Sequence, residues 1–435
     1  MHKFMRKFLF ALSLMAGFSS PALAGAPSAA LIEQGRYLAV AGDCFACHAQ
    51  SGKGGHAINS PLGAIYATNI TPSKTAGIGN YTPAQFSNAV RHGVRADGSQ
   101  LYPAMPYTAY AKLSDGDMNA LYAYFMHGVQ PVDTPAPQTR LPFPFNLRFS
   151  MKAWNALFLD DKPYAPVKGQ SVEWNRGAYL VQGLAHCSTC HTPRNALMAE
   201  QSGQFLRGSS LGTWYAPDLV SGGWSREDMV AYLATGHAAN GATAGGPMRE
   251  VIDLSFSKMA SSDVQAMATY LHSLQAGGQT APAVVAPVSG SDIAEMTGKL
   301  RPGEQLYRDN CASCHQNNGD GMRGLPALRN HPVLRQPNTD NVAMAILEGV
   351  WPEHRQGMPG FAAELTDSQI AQISNYVVQD FGHGKAVMAE PRVASLRAGG
   401  DTPLLLTLAR GGMVVGGLLL ALWLLLLAWR RKRKA

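Results

Sequence analysis

The sequence is poor in charged residues, and its net charge is concentrated at the two ends. Aspartate, glutamate, lysine and arginine make up 15% of the 435 residues, against roughly 25% in an average soluble domain. The net charge of +7 arises from three basic residues before position 25 and five after position 429. The chain between them carries a net charge of −1, so nothing in it predicts the basic surface that a nucleic-acid partner requires.

The sequence also lacks the short motifs of common catalytic classes. It contains no HExxH or P-loop pattern. A GxGxxG match at residues 319–324 follows a cysteine motif rather than a strand, and it therefore does not predict a dinucleotide site. Any chemistry has to come from a bound group, which argues against an enzyme that acts by itself.

Cysteine is absent outside one repeated pentapeptide. The six cysteines form three Cys-x-x-Cys-His motifs, which are Cys44, Cys47 and His48, then Cys187, Cys190 and His191, and then Cys311, Cys314 and His315. This spacing is typical of c-type haem attachment, in which both thiols bond the porphyrin and the histidine is the proximal iron ligand. The three motifs predict three covalently bound haem c groups.

Zinc, disulfides and a thioredoxin-type pair are the alternative explanations for these cysteines. A structural zinc site usually brings two cysteine pairs close together in sequence, whereas these pairs lie 143 and 124 residues apart. A thioredoxin-type pair requires a βαβ context, which the sequence pattern does not indicate. Disulfide bonds are not favoured either, because no cysteine lies outside the motifs to act as a partner. The spacing favours haem.

Each motif is followed by a methionine beside a proline, which is suited to be the sixth iron ligand. Met105, Met248 and Met358 lie 57, 57 and 43 residues after the motif histidines. A glycine that predicts a helix end precedes them by 12, 12 and 9 residues. Six other methionines lie in helical patterns and are expected to fill the core: Met118, Met126, Met229, Met259, Met267 and Met344.

The three motifs lie in the same order of predicted elements, namely helix, motif, glycine- and proline-rich loop, helix, methionine and last helix. The loop segments 65–70 and 214–219 resemble each other, and capping-box patterns at Ser114, Ser262 and Thr366 begin the last helices. This order resembles the class I cytochrome c fold. The predicted fold is mainly α, with domains at residues 25–135, 169–276 and 297–385 and linkers at 136–168 and 277–296.

Both ends of the chain predict targeting to a membrane. Residues 1–24 combine basic residues, an apolar stretch and a small-residue cleavage site, as in a secretory signal peptide. Residues 411–429 carry no charge, and the predicted transmembrane helix at 404–429 is followed by a basic tail at 430–435. A buried core helix is the alternative. The basic tail should remain cytoplasmic, which puts the haem domains on the periplasmic side of the inner membrane.

Longer stretches of the sequence resemble a known family, the triheme cytochrome c subunits of membrane-bound alcohol, aldehyde and sugar-acid dehydrogenases, including gluconate 2-dehydrogenase-like members. The matching stretches include Asn69-Ile70-Thr71-Pro72, Leu101-Tyr102-Pro103-Ala104-Met105-Pro106, Cys190-His191-Thr192-Pro193-Arg194-Asn195, Gly246-Pro247-Met248 and Met358-Pro359-Gly360-Phe361. The resemblance covers nearly the whole mature chain.

This resemblance implies an electron-transfer subunit that is not an enzyme by itself. Its expected partners are a flavin- or quinoprotein dehydrogenase subunit (FAD or PQQ), a small third subunit, and ubiquinone as the electron acceptor. The implied axial pairs are His48 with Met105, His191 with Met248, and His315 with Met358.

Two other functions use the same features. A membrane-anchored cytochrome c could deliver electrons to a terminal oxidase or a soluble acceptor with the same haems and anchor. A haem peroxidase would instead need one iron with a labile or absent sixth ligand, which would show as high-spin haem in the resting protein. The three methionine candidates argue against the peroxidase.

Overall fold

A computed structural model describes residues 26–60, 62–275, 300–322, 325–352, 356–402 and 404–433. The predicted signal peptide and the predicted linker at 277–296 lie outside these residues. The described part is mainly α-helical, as predicted, with two short antiparallel hairpins. It follows the three sequence repeats and ends in a long apolar helix.

The first repeat surrounds its cysteine motif with helices and one hairpin. Its elements in chain order are α1 (Ala29–Ala41), α2 (Cys44–His48), β1 (Ala57–Ser60), β2 (Gly63–Tyr66), α3 (Pro83–His92), α4 (Tyr107–Tyr110) and α5 (Asp115–His127). Within the hairpin, Ala57 pairs with Tyr66 and Ser60 with Gly63. The motif itself is the short helix α2.

The second repeat has the same order after the intervening helix α6 (Ser150–Phe158). Its elements are α7 (Val172–Tyr179), a π-helical turn (Leu180–Leu184), α8 (Ser188–His191), β3 (Arg207–Ser210), β4 (Tyr215–Asp218), α9 (Arg226–Thr235), α10 (Gly246–Leu254) and α11 (Ser261–Leu274). In the second hairpin, Arg207 pairs with Asp218 and Ser210 with Tyr215.

The third repeat is shorter, and no hairpin occurs among its described residues. Its helices are α12 (Pro302–Asn310), α13 (Ala312–His315), α14 (Asp340–Glu348), α15 (Asp367–Asp380) and α16 (Glu390–Arg397). α16 is held against α14 because Arg392 donates two hydrogen bonds to the Asp340 carboxylate. The last helix, α17 (Leu404–Lys432), has the length and composition to cross a membrane.

The first and last helices of each repeat cross at a glycine. In α1 a Cβ atom at Gly35 would overlap the carbonyl oxygen of Ala120 in α5, and in α7 one at Gly177 would overlap that of Ala266 in α11. Gly303 of α12 approaches Gln372 of α15 in the same way. Because glycine has no side chain, the two helix backbones can touch. This contact fixes the first and last helices of each repeat relative to each other, on either side of the cysteine motif.

We expect the substitution Gly177→Ala to lower the free energy of unfolding by about 2–3 kcal/mol, because the helices must move apart to admit a methyl group. The matched control is Gly116→Ala in α5, where an added Cβ would meet only Ser114 Oγ, at 3.8 Å. The control should be neutral or stabilising by up to about 1 kcal/mol. Equal denaturation midpoints for the two variants would contradict the helix-crossing account.

Among the described residues, the buried apolar side chains form two clusters. The larger one joins the first and second repeats, and its members include Leu38, Leu113, Leu180 and Met267. The smaller one belongs mainly to the third repeat, around Tyr307 and Ile370. The first two repeats therefore share one continuous core, and the predicted division into three domains stays a prediction.

Reciprocal hydrogen bonds link the first two repeats. Tyr37 of α1 donates to Asp263 of α11 at 2.6 Å, and Tyr179 of α7 donates to Asp117 of α5. Arg176 adds two further hydrogen bonds to Asp263. Equivalent tyrosines of the two repeats thus bind acidic residues of the opposite repeat, as expected for an approximate twofold relationship.

The segment predicted as the first linker, 136–168, is folded against both repeats. Asn155 of α6 accepts from the Tyr107 hydroxyl and donates to the carbonyl of His92, both in the first repeat. Trp154 donates through Nε1 to the carbonyl of Leu197 in the second repeat. The prolines of this segment lie outside α6, and these polar contacts hold the helix against both repeats.

Candidate haem sites

Each cysteine motif forms a single helical turn that brings its two thiols to one side. The motifs lie in or directly before α2, α8 and α13, and all six cysteines are half-buried and free of disulfides. Burial raises the pKa of Cys44, Cys187 and Cys311 to about 12. Two thiols three residues apart on one turn are placed to bond one porphyrin, as in c-type haem attachment.

The motif histidines are fixed in the same way in all three repeats. Nδ1 of His48 donates to the carbonyl of Thr68 at 2.6 Å, and Nδ1 of His191 donates to that of Pro217 at 2.8 Å. His315 makes the equivalent bond to Pro326 at 3.2 Å. Metal-binding histidines characteristically donate their second ring nitrogen to a carbonyl or carboxylate. Since Nδ1 carries the proton that makes this hydrogen bond, Nε2 is the ring nitrogen that can bind iron.

The two hairpins supply the first two of these carbonyls. Thr68 lies two residues after β2, and Pro217 lies within β4. These residues occupy matching positions in the similar segments 65–70 and 214–219. The sequence comparison marked the segments as equivalent but did not assign the carbonyls a role, because a backbone acceptor has no residue signature.

The electrostatic environment keeps the motif histidines neutral. Burial lowers the pKa of His48, His191 and His315, and a neutral imidazole is the form that binds a metal. Two thiols on one turn, an oriented neutral imidazole and a following methionine are the donor set of a c-type haem. These residues therefore fit the predicted cofactor.

The path from helix to methionine is also repeated. Gly93 and Gly236 end α3 and α9 in the left-handed conformation, with φ of 65° and 76°, and Gly349 ends α14. The prediction that these glycines end helices is confirmed. An isolated β-bridge follows each one: Val94 with Gln100, His237 with Thr243, and Val350 with Met358.

The three candidate ligands are all partly buried and pack against the cores. Met105 and Met248 contact the larger cluster, and Met358 contacts the smaller one. Met248 lies in the first turn of α10 rather than in the expected loop, because Pro247 is at a position where proline favours helix initiation. Of the six methionines expected in the core, five are buried, and Met126 is partly buried against the larger cluster.

The first two cysteine motifs are neighbours across the shared core. The ring of Tyr110 in α4 packs against that of His186, the residue before Cys187, with centroids 5.7 Å apart. Burial raises the pKa of Cys47 to about 11, with further contributions from Asp43, Glu250 and Cys190. The first two sites therefore lie close to each other within one folded unit.

Comparison with known proteins identifies the family of this arrangement. The chain is 42% identical to the fructose dehydrogenase cytochrome subunit of Gluconobacter japonicus, over 96% of this chain and 94% of the relative. It belongs to the dehydrogenase cytochrome c subunits. Other relatives are the cytochrome c subunits of alcohol dehydrogenase (quinone) from Gluconacetobacter polyoxogenes, 39% identical over 86% of this chain and 85% of the relative, and of gluconate 2-dehydrogenase from Pantoea cypripedii, 38% identical over 85% and 90%.

Two family matches lie within this cytochrome subunit. Residues 300–379 match Cytochrome c, and residues 30–125 match Cytochrome C oxidase, cbb3-type, subunit III. The subunit therefore contains cytochrome c domains that bind haem c covalently, and its role is electron transfer from a dehydrogenase. The predicted family resemblance is confirmed.

Proposed function

We propose that this cytochrome subunit binds three haem c groups with the axial pairs His48 and Met105, His191 and Met248, and His315 and Met358. Three carbonyl-bound motif histidines support the proximal ligands. The repeated order of helix end, β-bridge and methionine supports the distal ligands. The cysteine pairs at Cys44 and Cys47, at Cys187 and Cys190, and at Cys311 and Cys314 form the thioethers.

This ligand set supports electron transfer without substrate chemistry. A haem with histidine and methionine ligands exchanges one electron at a raised potential. The histidine is held by a backbone carbonyl and the methionine by its core contacts, so neither ligand has to move. Both axial positions are filled in this arrangement, which opposes the peroxidase alternative.

The proposed electron donor is a dehydrogenase subunit with FAD or PQQ, and the proposed acceptor is ubiquinone in the membrane. The substrate class is an alcohol, aldehyde, sugar or sugar acid, since the named relatives serve dehydrogenases of fructose, alcohol and gluconate. A small third subunit is a further proposed partner.

The proposed location is the inner membrane, with the haem domains periplasmic and the tail cytoplasmic. α17 supports this location because its residues 411–429 carry no charge and its most apolar part is not buried against the fold. Three basic residues close its last turn, in agreement with a cytoplasmic end. The predicted domains and the signal peptide at 1–24 complete the proposal.

The observation that carries the proposal is the likeness to dehydrogenase cytochrome subunits over nearly the full length of the chain. The test is to solubilise the native membranes in mild detergent, purify the chain with its partners, and add fructose, ethanol and gluconate one at a time. We expect a flavin- or quinoprotein subunit to co-purify and one substrate to reduce the haems. Haems that stay oxidised with every substrate, beside a co-purified oxidase, would overturn the proposal.

The oxidase alternative has one observation in its favour, the match of residues 30–125 to a cbb3-type oxidase subunit. The match covers the first repeat, whereas the dehydrogenase relatives span most of the chain. If the alternative were correct, adding an oxidase inhibitor to respiring membranes would leave this chain's haems reduced while ubiquinone turnover continued.

Replacing any one of Met105, Met248 and Met358 with alanine should leave all three haems attached and convert one of them to a high-spin or misligated form. The thioether bonds do not depend on methionine, so haem content is the internal control. The measurement is the absorption and magnetic circular dichroism spectrum of each variant, with Met126→Ala as a matched control. Unchanged spectra in all three variants would contradict the ligand assignment.

A further inference from the structure

The second and third repeats meet at the hairpin of β3 and β4. Asn341 of α14 accepts a hydrogen bond from the backbone N–H of Tyr215 and donates one to the Tyr215 carbonyl, both at 2.8 Å. The turn of the hairpin continues this contact, because Gly212 lies directly against the backbone of Gly400 after α16. One edge of the second repeat is thus attached to the third.

Trp214, the residue before Tyr215, also contacts the third repeat. It packs against the smaller hydrophobic cluster although it belongs to the second repeat. Its indole Nε1 donates to the Glu348 carboxylate at the end of α14, at 3.2 Å. The side chain therefore crosses the boundary between the two cores.

The indole also contacts the segment that leads to Met248. A Cβ atom at Gly246 would collide with the ring of Trp214, and Gly246 has a φ of +51° at the start of α10. At Gly245 a Cβ would lie 3.6 Å from Val350 and 3.7 Å from the indole. Val350 in turn exchanges two backbone hydrogen bonds with Met358. The ring of Trp214 thus lies between the segments that carry Met248 and Met358.

The junction is open beside the indole. A groove of about 470 Å³ is lined there by residues of α10, including Arg249 and Leu254, and by residues at and just after the end of α14, including Trp351. In the first repeat the position of Trp214 is occupied by Ile65, a smaller residue without a hydrogen-bond donor. The tryptophan is therefore a departure from the repeat, and it lies at a hairpin that adjoins the third repeat.

We propose that Trp214 is a positioning residue that docks the third repeat onto the second and fixes the Met248 and Met358 segments relative to each other. Resting on the proposed function, the same contact sets the separation across which the second and third haem sites exchange one electron. The indole stays neutral and keeps its electrons; one site is oxidised as the other is reduced.

The test compares Trp214→Ala with Trp214→Phe in the full-length holoprotein by hydrogen–deuterium exchange. In Trp214→Ala the amides of Tyr215 and Met358 should exchange at least about tenfold faster, since the junction opens locally. Trp214→Phe keeps one aromatic ring in the junction but loses the Nε1–H donor and the second ring of the indole, so its increase should be smaller than that of Trp214→Ala, at no more than about fivefold. The matched control is Trp224→Ala, because Trp224 packs on Tyr232 within the second repeat.

A second readout follows electron equilibration between the second and third haems after a pulse of reductant, which should slow in Trp214→Ala and recover in Trp214→Phe. Wild-type exchange at both amides in Trp214→Ala, or an equal increase in Trp224→Ala, would overturn the proposal. If instead the proposed function is wrong, the wild-type chain will contain fewer than three low-spin haems. That result leaves the amide comparison intact.

Discussion

Replacing Cys187 and Cys190 together with alanine should remove one haem of three and destabilise the first repeat as well as the second. Without its thioethers the second haem is lost, and the side chains around its site lose a large apolar partner. These side chains belong to the cluster that also contains Leu38 and Leu113 of the first repeat. Because one continuous core is disturbed, the first and second repeats should unfold together at a lower temperature.

The matched variant is the double replacement of Cys311 and Cys314, in the repeat with its own cluster. It should also lose one haem, but the first two repeats should keep their unfolding midpoint. The measurement is haem content by haemochrome assay and mass, with thermal unfolding followed by circular dichroism of the remaining haems. The same midpoint for the first two repeats in both variants would contradict the shared core.

On the proposed topology, a chain that ends after Thr402 should be released into the periplasm as a soluble protein that retains its haems. The truncation removes α17, whose uncharged stretch is long enough to cross the hydrocarbon core of a bilayer. It keeps Asp401, which accepts hydrogen bonds from Arg392 and Ser395 and so secures the end of α16. The fold before the anchor should therefore be unchanged.

Fractionation of periplasm and membranes, followed by haem staining, measures this outcome. A chain that ends after Trp429 is the control: it loses the basic tail, keeps the apolar helix, and should stay in the membrane. If the Thr402 truncation still sediments with membranes in the absence of its dehydrogenase partner, α17 is not the sole attachment.

The sequence predicted the parts of the fold that have local signals. The glycine-terminated helices at Gly93, Gly236 and Gly349 are present, because a left-handed or extended C-cap favours glycine. The three predicted capping boxes agree with the structure to different degrees. Thr366 forms a full capping box and Ser114 caps its helix through its side chain, but Ser262 lies inside α11, which begins one residue earlier.

The way in which the first two repeats pack against each other could not be predicted from the sequence. The Tyr37 and Tyr179 hydrogen bonds to the opposite repeat join residues 226 and 62 positions apart, and no periodicity marks such a pair. The carbonyls that hold the motif histidines are backbone groups, so the similarity of segments 65–70 and 214–219 could indicate their place but not their role. The contacts that hold α6 of the predicted linker against both repeats are tertiary, and composition does not reveal them.

The most direct test of the central claim is an anaerobic titration of the purified complex with its own substrate, following the haem spectrum and then adding a ubiquinone analogue. We predict that substrate reduces three low-spin haems per cytochrome chain, each taking one electron, and that the quinone reoxidises all three. Fewer than three reducible haems, or haems that the quinone leaves reduced, would contradict the account.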